Sequence, residues 1–60
     1  MKYTRFEFLG YTRNGANSWQ FVDIQSTKDN EGNIARIGAI YRTEKELLAD
    51  LTNFAELRGY

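Results

Sequence analysis

The chain predicts an α+β domain: a three-stranded antiparallel sheet, read as a meander, with one C-terminal helix packed on one face. Three observations predict it. Two clusters of turn-forming residues, TRNGAN at 12–17 and TKDNEGN at 27–33, divide residues 2–41 into three segments rich in aromatic and β-branched residues. Residues 43–58 switch to the 3.6-residue period of an amphipathic helix. The connections are short, so successive strands pair as neighbours.

The first segment, Lys2–Tyr11 (KYTRFEFLGY), places Thr4, Phe6 and Phe8 on one face and Tyr3, Arg5 and Glu7 on the other. Gly10 marks a bulge or a bend. The turn at Thr12–Asn17 contains Asn14-Gly15, a pair that favours the positive φ values of hairpin turns. The second segment, Ser18–Ser26, sends Trp19 and Phe21 one way and Val22 and Ile24 the other. Either this strand is apolar on both faces, or a bulge shifts its register. The third segment, Ile34–Tyr41, follows the polar turn Thr27–Asn33.

The helix opens at Thr43. Thr43 and Glu46 have the T-x-x-E spacing of a capping box, and Glu44 and Glu46 suit the positive end of the helix dipole. Leu47, Leu48, Leu51, Phe54 and Ala55 form an apolar stripe, and Gly59 is placed to end the helix in the left-handed conformation. The expected core is Phe6, Phe8, Val22, Ile24, Ile37, Ile40, Leu47, Leu51 and Phe54. Tyr3, Tyr11 and Trp19 then fall on the face the helix leaves open.

Sixty residues allow one small domain, residues 1–60. The chain has no Cys and no His, which removes disulfides, the usual zinc sites and the common nucleophile–base pairs. No P-loop or G-x-S-x-G spacing occurs. Glu46 and Asp50 share one helix face, where two carboxylates can hold a divalent cation or stand as solvated surface charges. The reading is that they are surface charges, with no catalytic residue, metal or cofactor. No apolar run approaches the ~20 residues of a membrane span. MKYTRFEF lacks the apolar core of a signal peptide. A cytoplasmic protein is the expectation.

Formal net charge is zero. Residues 1–43 nevertheless carry six cations against four anions, and residues 44–60 carry two against four. The mildly basic part is the expected sheet. Tyr11 and Trp19, interleaved with Arg5, Arg13, Lys28 and Arg36, are therefore the candidate binding residues. An aromatic beside a cation can meet a base or sugar while the cation meets a phosphate. The same residue types dominate protein interfaces.

The order SWQFVDI, KDNEGN, IARIGAIYRT, EKELLADL is similar to that of plant AP2 domains and of the arm-type DNA-binding domains at the N-termini of tyrosine recombinases. The residues that carry the resemblance are Trp19, Gly32, Gly38, Ile40, Thr43 and the helix from Glu44, within about residues 18–52. It implies DNA binding through the sheet face opposite the helix, with Trp19, Arg36 and Lys28 as contacts. It also suits a phage or mobile-element accessory protein. The strands here carry fewer cations than in those families, so a dimer or a larger complex would supply the remaining phosphate contacts. Two functions follow as expectations. The first is a non-enzymatic regulatory protein that contacts duplex DNA through the open sheet face. The alternative is a protein-interaction module or inhibitor, using the same face or the acidic helix, with a homodimer as one form.

Overall fold

The computed structural model describes residues 1–28 and 33–60. It is an α+β fold with an antiparallel sheet and C-terminal helices, but with four strands and two helices rather than three and one. The strands are β1 (Lys2–Tyr3), β2 (Leu9–Gly15), β3 (Ser18–Asp23) and β4 (Arg36–Tyr41), paired in the order β1-β2-β3-β4. The helices are α1 (Glu44–Ala49) and α2 (Leu51–Arg58).

The extra strand comes from the segment expected to run straight from Lys2 to Tyr11. It folds back on itself because Thr4 organises a turn. Its hydroxyl donates to the Leu9 carbonyl at 2.6 Å and accepts the Phe6 N–H at 3.2 Å, and Leu9 N–H reaches Phe6 O at 3.3 Å. Lys2 then pairs with Tyr11, and Tyr3 with Gly10. Phe6 and Phe8 become turn residues. Phe6 still packs against the core, but Phe8 is 41% exposed. Strand β2 continues through the expected turn at Thr12–Asn17 to Gly15. Asn14 is bulged out, and the reversal falls on Ala16 and Asn17 alone. The tip of the Thr27–Asn33 turn, including Gly32, lies outside the described residues. Its ends are joined by Lys28 N–H to Asn33 O at 3.1 Å and by Ala35 N–H to Thr27 Oγ1 at 3.1 Å.

The helix begins and ends as its sequence signals require. Thr43 Oγ1 accepts the Glu46 N–H at 3.1 Å. At the other end Gly59 is left-handed (φ 79°), with Tyr60 N–H on Ala55 O at 2.8 Å and Gly59 N–H on Glu56 O at 3.3 Å. The break between α1 and α2 falls at Asp50 (φ −97°, ψ 1°), whose N–H reaches back only three residues, to Leu47 O at 3.1 Å. Its carboxylate is held from the sheet by the Tyr41 hydroxyl at 2.5 Å. That tertiary bond sits where the turn tightens. Of the expected apolar stripe, Leu47, Leu51, Phe54 and Ala55 are buried on either side of the break, whereas Leu48 is 42% exposed because it falls to the side of the face turned to the sheet.

The register sorts the sheet into two faces. One cross-strand row is Lys2–Tyr11–Phe21–Ile37, and another is Arg13–Trp19–Tyr41. Both belong to the side the helices cover. The core is Leu9, Tyr11, Phe21, Leu47, Leu51, Phe54 and Ala55, with Phe6, Trp19, Ile37, Tyr41 and Tyr60 packed against it. At its centre Phe21 stacks on Phe54 (centroids 4.2 Å, 16° between planes) and meets Tyr41 edge-on at 5.6 Å. Of the expected core, Val22, Leu47, Leu51 and Phe54 are buried. Phe8 and Ile40 are exposed. The parity expected for the covered face is thus reversed: it takes Trp19 and Phe21, not Val22 and Ile24. Strand β3 is apolar on both faces, because Val22, pointing the other way, is fully buried as well.

Candidate functional site

The open face is the side of the sheet away from the helices. Its central row is Tyr3–Gly10–Val22–Arg36, one residue from each strand, and Thr12 pairs with Gln20 beside it. Gly10 is required here: a Cβ at this position would stand 2.7 Å from the Lys2 carbonyl, with Met1 Sδ and Ile24 Cδ1 at 3.5 Å. Those two side chains close over the middle of the sheet on this side. Tyr3, 65% exposed, and Ile40, 61% exposed, are its most accessible large apolar residues. Ile40 precedes the inward-facing Tyr41 and so points outward. Arg36 donates from Nε to Asn14 Oδ1 at 2.8 Å, and Gln20 donates to Gly38 O at 2.8 Å. Among the described residues Arg36 is the one charged side chain on these rows.

The candidate residues do not form one site. Tyr11 and Trp19 are not on the open face. Tyr11 is 6% exposed within the core, and Trp19 is packed against it with ring centroids 6.1 Å apart. Arg13 joins them: its guanidinium lies 5.5 Å from the Trp19 ring, and its Nε donates to Gly15 O at 2.9 Å. Arg5 lies in the β1–β2 turn, where it stacks on Phe6 at 4.8 Å and donates to the Thr52 hydroxyl of α2. Lys28 lies in the loop after β3, beside a shallow hollow shared with Ser26, Asn33, Ile34 and Ala35. Arg36 alone occupies the open face.

Lys2 completes the Trp19 cluster and was not singled out from the sequence. Its ammonium lies 6.0 Å from the Trp19 ring and 3.1 Å from Glu44. A groove of about 350 Å3 runs between Met1, Lys2, Tyr11, Thr12, Arg13 and Trp19. It opens where β1 stops, since β1 pairs with β2 only as far as Lys2–Tyr11. Glu44 also accepts the Tyr11 hydroxyl at 2.6 Å. Burial and that bond to Glu44 push the Tyr11 hydroxyl up to about 12. The bonds from Tyr11 and Lys2 hold the Glu44 carboxyl below its usual range. Tyr41 is raised to about 12 in the same way, by burial and then by Asp50, and Tyr60 is raised by burial and its bond to Asp23. Each shifted tyrosine is thus a neutral donor that fastens two elements.

Asp50 is committed to this structural role: Tyr41 takes one oxygen and Asn53 the other at 3.3 Å. Among the described residues no three acidic side chains gather as a metal site would require. No helix there is long and apolar enough to cross a membrane. Comparison with protein-family models, with curated proteins and with solved structures finds no match for this chain.

Proposed function

We propose that this chain is a small non-enzymatic binding protein that takes a protein partner on its open sheet face. The observation that supports this most is the chemistry of that face: exposed Tyr3 and Ile40 beside Ile24, Thr12 and Gln20, with Arg36 as the one charged residue on its cross-strand rows among the described residues. Aromatic residues and Arg with few other charges make up the centre of protein interfaces. A duplex needs several cations on the face that meets its phosphates, because affinity grows with each phosphate neutralised.

A second reading, nucleic-acid binding, is favoured by one observation, the placement of Lys2 and Arg13 beside Trp19. Against it, those two cations already cover the indole where a base would stack, and Lys2 is paired with Glu44. Of the candidate cations, an AP2-like mode through the open face would have Arg36 alone for phosphate.

A photoreactive phenylalanine in place of Tyr3 tests the two readings together, with the same residue at the exposed Leu57 of α2 as the control. The expected result is a protein adduct from position 3 and none from position 57. Adducts to nucleic acid, or equal protein labelling from both positions, would overturn the protein reading. Under the second reading, duplex DNA at low salt shifts the amide signals of Lys2, Arg13 and Trp19, and added salt reverses the shifts.

A further inference from the structure

The geometry points to a binding site for the free C-terminus of an extended peptide, in the groove where β1 stops. The site lies off the open face and does not rest on that face being a binding surface. Its first basis is the direction of the main-chain groups of β2. Ile24 N–H reaches Phe8 O at 3.0 Å, while Asp23 N–H turns the other way, to Ala35 O at 2.9 Å. Even-numbered residues from Phe8 to Thr12 therefore aim N–H and C=O at β3, and the odd-numbered ones beside them aim theirs at the β1 side. The Thr4 hydroxyl meets Leu9 O on that side. Tyr11 follows and has Lys2 as its partner. Arg13 is the next in this series, and β1 pairs no further than Tyr11. The N–H and C=O of Arg13 thus face the groove of about 350 Å3, with no strand of the described residues beside them.

The second basis is charge. The Lys2 ammonium and the Arg13 guanidinium stand 6.0 and 5.5 Å from the Trp19 ring. Arg13 commits Nε to Gly15 O, and among the described residues its two terminal nitrogens carry no hydrogen bond. Glu44 offsets Lys2 at 3.1 Å. Two cations against one anion leave a single positive charge, which one carboxylate matches. A strand that continues the line of β1 runs antiparallel to β2, and its residue opposite Arg13 exchanges two main-chain bonds with it. The same register puts Met1 opposite Thr12, so the incoming chain cannot run on past that residue. The residue opposite Arg13 is therefore the last of the peptide. Its N–H donates to Arg13 O, and its α-carboxylate accepts Arg13 N–H where an internal residue would offer a carbonyl. Its side chain falls on the face that carries Lys2, Arg13 and Trp19. On the other side of Arg13 the bulge at Asn14 breaks the ladder, so recognition is confined to the end of the peptide.

An NMR titration of the isotope-labelled full chain with acetyl-threonyl-valyl-threonyl-valine, free at its C-terminus, tests the proposal. The Arg13 amide, the Arg13 Nε–H and the Trp19 indole signals are expected to move, while Ile40 on the open face stays in place. The same peptide closed as a C-terminal amide is expected to bind about fivefold more weakly, through loss of the ion pair. N-methylation of its last residue removes the donor to Arg13 O and is expected to cost about fivefold as well. Arg13→Gln keeps the main-chain groups, so it is expected to weaken the acid about fivefold and to leave the affinity of the amide unchanged. Circular dichroism checks the fold of that variant, and the peptide series on wild type does not depend on it. No movement at millimolar peptide would overturn the proposal, as would equal binding of the acid and the amide or of the acid and its N-methylated form. Sodium acetate that matches the peptide in affinity would reduce the site to an adventitious ion only. A short DNA duplex that moves the same signals at lower concentration than the peptide would assign the groove to phosphate and end the proposal. The open face is judged separately, by the photoreactive residue at position 3.

Discussion

Gly38 provides the sharpest test of how the sheet and helices fit. It is left-handed (φ 76°) within β4, and a Cβ built there would stand 2.7 Å from Phe54 Cε2 and 3.0 Å from Cζ. Gly38→Ala therefore carries two penalties. An L-residue held in this conformation costs about 1–2 kcal/mol. Forcing a methyl against a packed ring costs roughly 1–3 kcal/mol more. Phe54 has no easy retreat, because its ring is stacked on the fully buried Phe21. The total, about 2–5 kcal/mol, is a large share of the ~3–9 kcal/mol expected for a domain of 60 residues. Phe54→Leu removes the two ring atoms and so isolates the terms. In the Leu background Gly38→Ala is expected to cost only the backbone part, leaving a coupling of about 1–3 kcal/mol. Urea unfolding of all four chains, followed by Trp19 fluorescence, measures it. Equal costs in both backgrounds, within about 0.5 kcal/mol, would refute the ring contact. A cost below about 0.5 kcal/mol in wild type would refute the backbone argument as well.

Two further outcomes follow from the hydrogen bonds. Tyr11 and Tyr41 have folded-state pKa values raised to about 12, so the neutral phenol is the favoured form in the fold. Their contribution to stability is complete below pH ~10, the ordinary tyrosine range, and is lost as pH rises toward about 12. Denaturation midpoints should fall across that window and fall less for Tyr11→Phe; a Tyr11→Phe profile identical to wild type would count against the Glu44 bond. Thr4→Val removes the hydroxyl that turns β1 onto β2, at a cost of about 1 kcal/mol. Hydrogen exchange should show the loss mainly in the β1–β2 pairing, with β3 still protected; uniform loss would mean that the turn is part of the global core.

What was legible in the sequence was local. Thr43, most of the stripe (Leu47, Leu51, Phe54 and Ala55, though not the exposed Leu48) and Gly59 are fixed by neighbours three or four residues away and appear in the fold as expected. The errors arose where distant contacts decide. The aromatic run KYTRFEF reads as one strand by propensity, yet a single Thr4 hydroxyl reverses it. The break at Asp50 sits at a tyrosine on β4, nine residues upstream. Strand β3 has apolar residues at both parities, so its inward side is chosen by the fit of Phe21 between Phe54 and Tyr41, which no window of sequence displays. That choice carried Tyr11 and Trp19 under the helices and left Arg36 alone of the candidate residues on the open side. Lys2 and Tyr3 acquire their positions only through the unforeseen first strand.

The irregularity in β4 bears on how such a molecule stays in solution. Between the pairs Phe21–Ile37 and Trp19–Tyr41, β4 holds three residues where β3 holds one. An outer strand with an even ladder of free amides and carbonyls is a template for endless lateral growth into fibres. The surplus residues throw that ladder out of step halfway along, so an incoming strand loses its matching partners after one short stretch. Lateral recruitment is discouraged by the backbone itself.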